Sequence, residues 1–178
     1  MAKATGAVGA ILAGGAARRF GADKALALFD GVPLIDHVAA ALRTETDALI
    51  VVGRQHGALV SVADHPAPDL GPLGAIAGAL RWAQANGYAA VLSAPCDAPL
   101  LPAHLGETLA GEGPAYAGGL PVLGWWPATL ADHLAAWLAS GQPRAVRRWA
   151  AAVGAREVVL AAVPANVNTQ ADLAALHR

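Results

Sequence analysis

Apolar positions along this chain fall into short unbroken runs that alternate with stretches of helical period. Residues 8–12 (VGAIL), 48–52 (ALIVV) and 88–93 (YAAVLS) are continuous apolar runs too short for helices. Such runs mark strands buried on both faces of a parallel sheet. Residues 59–63 predict a further short strand. Residues 33–43 (PLIDHVAAALR) place Leu34, Val38, Ala41 and Leu42 on one helical face, with Pro33 suited to the first turn. Residues 72–85 predict a second helix, with glycines in its first half, and residues 102–109 a third. Strands alternating with helices require crossover connections, hence a mostly parallel sheet covered on both faces. Sheets of this kind bind ligands beyond the carboxyl ends of their strands. The loops 13–24 and 94–101 fall at such ends.

The second half is less regular. Residues 115–122 predict short strands around Gly118-Gly119. Residues 127–138 fit an amphipathic helix through Leu130, Leu134, Trp137 and Leu138. A helix over 143–152, a strand over 157–161 and a closing helix over 171–176 complete the expected order. No shift in composition marks a linker, so residues 1–178 read as one domain.

Composition narrows the class. Of 178 residues, 56% are apolar and 14% charged, which argues for a packed core and against disorder. A net charge of −1 gives no broad electrostatic footprint for nucleic acid, so any anion site must be local. Cys96 is the single cysteine, which rules out an intrachain disulfide and favours a reducing, cytoplasmic setting. Lys3 and the small residues after it faintly resemble a secretory signal, but glycines interrupt the run and it leads into Arg18-Arg19. No apolar stretch reaches the ~20 residues that span a bilayer, so no membrane association is expected.

Candidate chemistry concentrates in a few loops. Residues 12–24 read LAGGAARRFGADK: a strand end, the pair Gly14-Gly15, then Arg19 and Lys24. Glycines let backbone N–H groups approach phosphate oxygens closely, and the two cations add charge at the same place. The spacing fits neither the Walker loop nor GxGxxG. Asp97 follows a buried strand and is hemmed in by Pro95, Pro99 and Pro102. A carboxylate so placed suits Mg²⁺, which takes one or two carboxylates plus phosphate oxygens and water; capping a turn is the alternative. The segment Asp69-Leu70-Gly71-Pro72-Leu73-Gly74 reads either as a wall of a base pocket or as an ordinary turn into a helix. Asp64 ends a strand-like run and offers hydrogen-bond acceptors. Asn166 and Asn168 point to one side if extended, and Thr169 reads as a helix cap. Trp125-Trp126 fits core filling better than ligand stacking. The six histidines show no zinc-ligand spacing.

Together these blocks resemble the molybdenum cofactor guanylyltransferases, within the wider nucleotidyltransferase group. The resemblance runs through Leu12-Ala13-Gly14-Gly15, Arg19, Gly21, Asp23-Lys24-Ala25 and Gly31-Val32-Pro33-Leu34, then Gly71-Pro72-Leu73, Cys96-Asp97-Ala98-Pro99 and Asn166-Val167-Asn168-Thr169, in the family's order. It implies a Rossmann-like α/β three-layer sandwich of nucleotidyltransferase type. It implies transfer of GMP from GTP to molybdopterin, with release of pyrophosphate. By this resemblance Gly14, Gly15, Arg19 and Lys24 hold the triphosphate, and Leu12 and Ala13 contact the base. Asp64, Gly53 and the Gly71-Pro72-Leu73 loop complete the nucleotide pocket, Asp97 binds Mg²⁺, and Asn166 and Asn168 face the pterin. Proteins that donate the cofactor or accept the product are implied partners. Gly74-Ala75 stands where the family often has Ala-Gly. Gly53 stands where relatives can carry asparagine. Phe20 is shared with related cytidylyltransferases, although those resemble LAAG where this chain has LAGG. The alternatives are therefore a cytidylyltransferase using CTP, or a nucleotide-binding chaperone or regulator without turnover.

Overall fold

The computed structural model describes residues 6–14 and 23–176. Strand β1 (Ala7–Leu12) is buried at every position. Two further strands, β2 (Leu28–Phe29) and β3 (Val32–Pro33), form a small antiparallel hairpin. β4 (Ala48–Val52), β5 (Val60–Val62), β6 (Ala90–Pro95), β7 (Ala115–Ala117), β8 (Leu120–Pro127) and β9 (Arg156–Val158) join β1 in the main sheet. Among the described residues its order is β5-β4-β1-β6-β8-β7-β9. β1 pairs in parallel with β4 on one side and β6 on the other, so neither its faces nor its edges meet water. That explains its all-apolar sequence. β8 alone runs against its neighbours β6 and β7.

Side chains alternate across the sheet and split the core in two. Val8, Ala10 and Leu12 of β1 face helices α2 (Pro72–Ala85), α4 (Ala131–Ala139) and α5 (Val146–Ala152). Ile11 faces the opposite layer, with α1 (Leu34–Arg43) and α3 (Leu105–Leu109). The result is the expected α/β three-layer sandwich around a mostly parallel sheet. A last helix, α6 (Gln170–Ala175), is exposed and begins at a capping box. Thr169 Oγ1 accepts from the Asp172 N–H at 3.1 Å, and Asp172 accepts from the Thr169 N–H at 2.8 Å.

Several boundaries differ from the sequence expectation. β8 runs on to Pro127, past the strand end expected at 122 and over the first residue of the helix expected from 127, because Trp126 fills the core opposite Val91. Its indole N–H finds a partner in Ser93 Oγ at 2.9 Å, which removes the cost of burying that donor. The strand expected over 157–161 stops at Val158, and the helix expected from residue 102 starts only at Leu105. Pro33 closes the hairpin and precedes α1 instead of sitting in its first turn. Among the described residues, no helix is long and apolar enough to cross a membrane.

Candidate active site

The carboxyl ends of β1, β4 and β6 meet along one edge of the sheet. β1 continues past Leu12 as extended chain between its neighbours: the Ala13 N–H donates to Val52 O at 3.0 Å, and the Cys96 N–H donates to Leu12 O at 3.1 Å. A cavity of about 450 Å³ opens there. Leu12 and Gly14 form its floor at β1, and Pro95, Cys96 and Asp97 its side at β6. Asp64, Asp69, Gly71, Pro72 and Ala75 supply the opposite wall, and Asn166 and Val122 complete it.

Lys24 reaches this edge from a single turn of 3₁₀-helix, Lys24–Leu26. Asp23 caps that turn by accepting from the Ala25 N–H at 3.2 Å. The Lys24 ammonium makes an ion pair with Asp97 Oδ2 and donates to Asn168 Oδ1 at 2.8 Å. Both charged side chains are largely withdrawn from water, at 16% and 14% exposure. Screening is weak in such a place, so each charge holds the other firmly. The second Asp97 oxygen, Oδ1, is buried and has no hydrogen-bond partner among the described residues.

The C-terminal segment is tied to the same loop. The Val167 N–H donates to Asp97 O at 2.8 Å, and the Val167 side chain is fully buried against Phe29 and Leu34. Val167 is turned inward, and its neighbours Asn166 and Asn168 are exposed. Asn166 lines the cavity and Asn168 holds Lys24.

Asp64 stands at the far wall. Burial, and next the charge of Asp69, push its carboxyl above the ordinary carboxylate value. Its Oδ1 is buried without a partner among the described residues. Two unsatisfied carboxylate oxygens in one cavity are costly to keep and are expected where a ligand supplies the missing donors or cation. Cys96 is the opposite case. Burial first, then Asp97, raise its thiol to about 12, so it is no nucleophile at neutral pH.

The structure brings together Leu12, Gly14, Lys24, Asp64, Gly71, Pro72, Asp97, Asn166 and Asn168. Three other expected contacts change character. Ala13 is held in the sheet by its N–H. Leu73 is wholly buried in the core, so its side chain cannot touch a nucleotide. Gly53 spends its N–H on Val62 O at 2.9 Å and does not line the cavity. Its role is spatial: at φ +87° a Cβ would lie 2.5 Å from the Gly14 Cα. The Gly74-Ala75 order has a local reason, because a Cβ on Gly74 would meet that of Leu70 at 2.7 Å, while Ala75 faces the cavity. Gly15, Arg19, Phe20 and Gly21 lie outside the described residues. Sequence reasoning missed Arg54, which follows β4 and forks Asp23 with two hydrogen bonds of 2.7 and 2.6 Å. Its place two residues beyond the carboxyl end of β4 becomes telling only with β4 beside β1, which the sheet order supplies.

A family model described as the MobA-like NTP transferase domain matches residues 9–158. The chain belongs to this family. Among MobA-like relatives, a molybdenum cofactor guanylyltransferase from Cereibacter sphaeroides is 40% identical over 165 residues, covering 82% of this chain and 84% of that one. A protein of the same name from Acidiphilium cryptum is 35% identical and covers 92% of this chain and 90% of its own. The structure of molybdopterin-guanine dinucleotide biosynthesis protein A from Archaeoglobus fulgidus superposes with a TM-score of 0.73, at 20% identity over 94% of this chain and 95% of that one. The cavity described above is therefore the candidate nucleotidyl-transfer site of a MobA-like NTP transferase.

Proposed function

We propose that this protein transfers GMP from GTP to the terminal phosphate of molybdopterin, forming a guanine dinucleotide cofactor. A phosphate oxygen of the pterin bonds to the α-phosphorus, the bond from that phosphorus to the bridging oxygen breaks, and pyrophosphate leaves. No protein nucleophile is required, because a phosphate monoester is already anionic at neutral pH. The enzyme's contribution is positioning and charge neutralisation. The Lys24–Asp97–Asn168 cluster at the mouth of the cavity carries this reading, supported by the relatives' shared activity.

Each residue has a task. Lys24, with Arg19, offsets the charge that develops on the departing pyrophosphate. Leu12 and Pro72 offer apolar contact to a flat base. Asp64 and Asp69 present acceptors, which suit the N1 and N2 donors of guanine. Gly14 lets the chain approach the phosphates closely. Asn166 and Asn168 face the pterin side.

Asp97 fits a divalent cation. It is a hard oxygen donor, and its Oδ1 is buried with no hydrogen-bond partner among the described residues. A single carboxylate suits Mg²⁺ completed by phosphate oxygens and water. When bound, Mg²⁺ supplies neutralisation of phosphate charge. A fold relative from Mycobacterium tuberculosis H37Rv is known in complex with manganese, in keeping with such a site.

Pyrophosphate release with GTP, CTP, ATP and UTP, each with and without molybdopterin, tests the proposal. Release with GTP that depends on the pterin is expected. Release with CTP, or tight nucleotide binding with no release, overturns it.

A further inference from the structure

We propose that Arg54 is a positioning residue for nucleotidyl transfer, which clamps Asp23 and so holds the Lys24 ammonium at the cavity. This inference rests on the assignment of Lys24 to the nucleotide phosphates.

Lys24 stands on a weak element. A 3₁₀ turn of three residues has little stability of its own. Its start is fixed by Asp23, and Asp23 is fixed from outside. Both terminal nitrogens of Arg54 donate to the Asp23 carboxylate, at 2.7 Å to Oδ1 and 2.6 Å to Oδ2. Two parallel bonds fix direction as well as distance, which one ammonium cannot do.

The other end of the clamp is anchored to the sheet. Arg54 follows Gly53, whose N–H donates to Val62 O on β5. The Arg54 carbonyl accepts from Ser61 Oγ at 2.7 Å. The Arg54 backbone is thus held against the edge strand, and its side chain transmits that rigidity to the residue before Lys24. The Arg54 side chain is 21% exposed, and its Nε is buried without a partner among the described residues. Burying that donor has a cost, whereas a half-exposed ion pair contributes little to stability. A positional role accounts for the residue better than a stabilising one. The mutual shifts agree: Asp23 is lowered chiefly by its bonds from Arg54, and Arg54 is raised chiefly by Asp23.

The chain has two lysines, Lys3 and Lys24, so the reactivity of Lys24 toward an acylating reagent can be read by peptide mass spectrometry. Arg54→Gln is expected to speed acylation of Lys24 several-fold. It is also expected to lower kcat/KM for GTP by about tenfold, mostly through kcat, because the pterin-facing wall is untouched. Asp23→Asn keeps a capping oxygen but loses the charged fork, and should do the same. The double variant should be no worse than either single one. Arg54→Lys should fail to rescue, since it restores charge without the fork. If Arg54→Gln leaves Lys24 acylation and kcat/KM for GTP within twofold of the parent, the inference is overturned, whatever happens to Tm. If the parent protein releases no pyrophosphate, the proposed function fails, yet the acylation comparison still decides whether Arg54 positions Lys24.

Discussion

The Lys24 ammonium, delivered from beyond β1, pairs directly with the Asp97 carboxylate at the end of β6. Two segments remote in sequence therefore converge on one edge of the sheet. The pair makes each partner the other's counter-charge in a poorly solvated place, so the two act as a unit. Lys24→Ala and Asp97→Asn should each lower kcat/KM by about 10²–10³-fold, the range seen when one preorganised charge stabiliser is removed. The double variant should lose much less than the product of the two. Lys24→Ala should also lower Tm more than Asp97→Asn, because it strands a buried carboxylate. Steady-state pyrophosphate release and thermal melts of the four proteins check this.

Asp64 makes a pH-dependent prediction. Its carboxyl is raised in the folded state, so the fold binds a proton more tightly there than the unfolded chain does. The associated stability is full below the unfolded value and is lost as pH rises through the folded one. Asp64→Asn removes that loss. It should raise stability and Tm at neutral pH, and the gain should vanish toward pH 3. The same variant should show a smaller GTP-induced thermal shift. A Tm unchanged at neutral pH would show that the burial of Asp64 carries no penalty.

Gly53→Ala should be severe although Gly53 does not itself line the cavity. Its added methyl would collide with the Gly14 backbone at a φ that L-residues avoid. A cost of about 1–3 kcal/mol is expected, together with loss of GTP binding as Gly14 is displaced. Urea denaturation and nucleotide thermal shifts measure the two effects separately.

Asn168 and Thr169 are neighbours with separable duties. Thr169→Ala breaks the capping box and should cost about 0.5–2 kcal/mol in stability, with a modest effect on turnover. Asn168→Ala leaves that cap but removes one of the two contacts on the Lys24 ammonium, and should lower kcat with little change in Tm. Equal losses of Tm in the two variants would contradict this division.

Much of the sheet was legible because parallel strands buried on both faces leave an unmistakable apolar run. The run at 48–52 is observed residue for residue as β4, and the helix expected over 72–85 is α2. Edges were harder. β9 ends early because only Arg156, Glu157 and Val158 find partners on β7. The β2–β3 hairpin carried a signal at Asp30-Gly31, both at positive φ, but two-residue strands leave no periodicity to read. At the site, residue type and loop position singled out Lys24 and Asp97, which the structure brings together, whereas Asn166 and Asn168 stayed open on that ground and gained a role only through the family resemblance. The Arg54–Asp23 fork was not legible, because a surface arginine becomes informative only when the sheet order puts β4 next to β1.

The reversal of β8 decides where the second half of the chain delivers its turns. Because β8 runs backwards, the glycine turn joining β7 to β8 opens on the same rim as the loops after β1, β4 and β6. That turn is packed and not loose: a Cβ on Gly118 would meet Glu157 at 2.6 Å, and one on Gly119 would meet Val163 at 2.6 Å. Both halves of the polypeptide thus contribute to one side of the sheet, although a single strand is wound in the opposite sense.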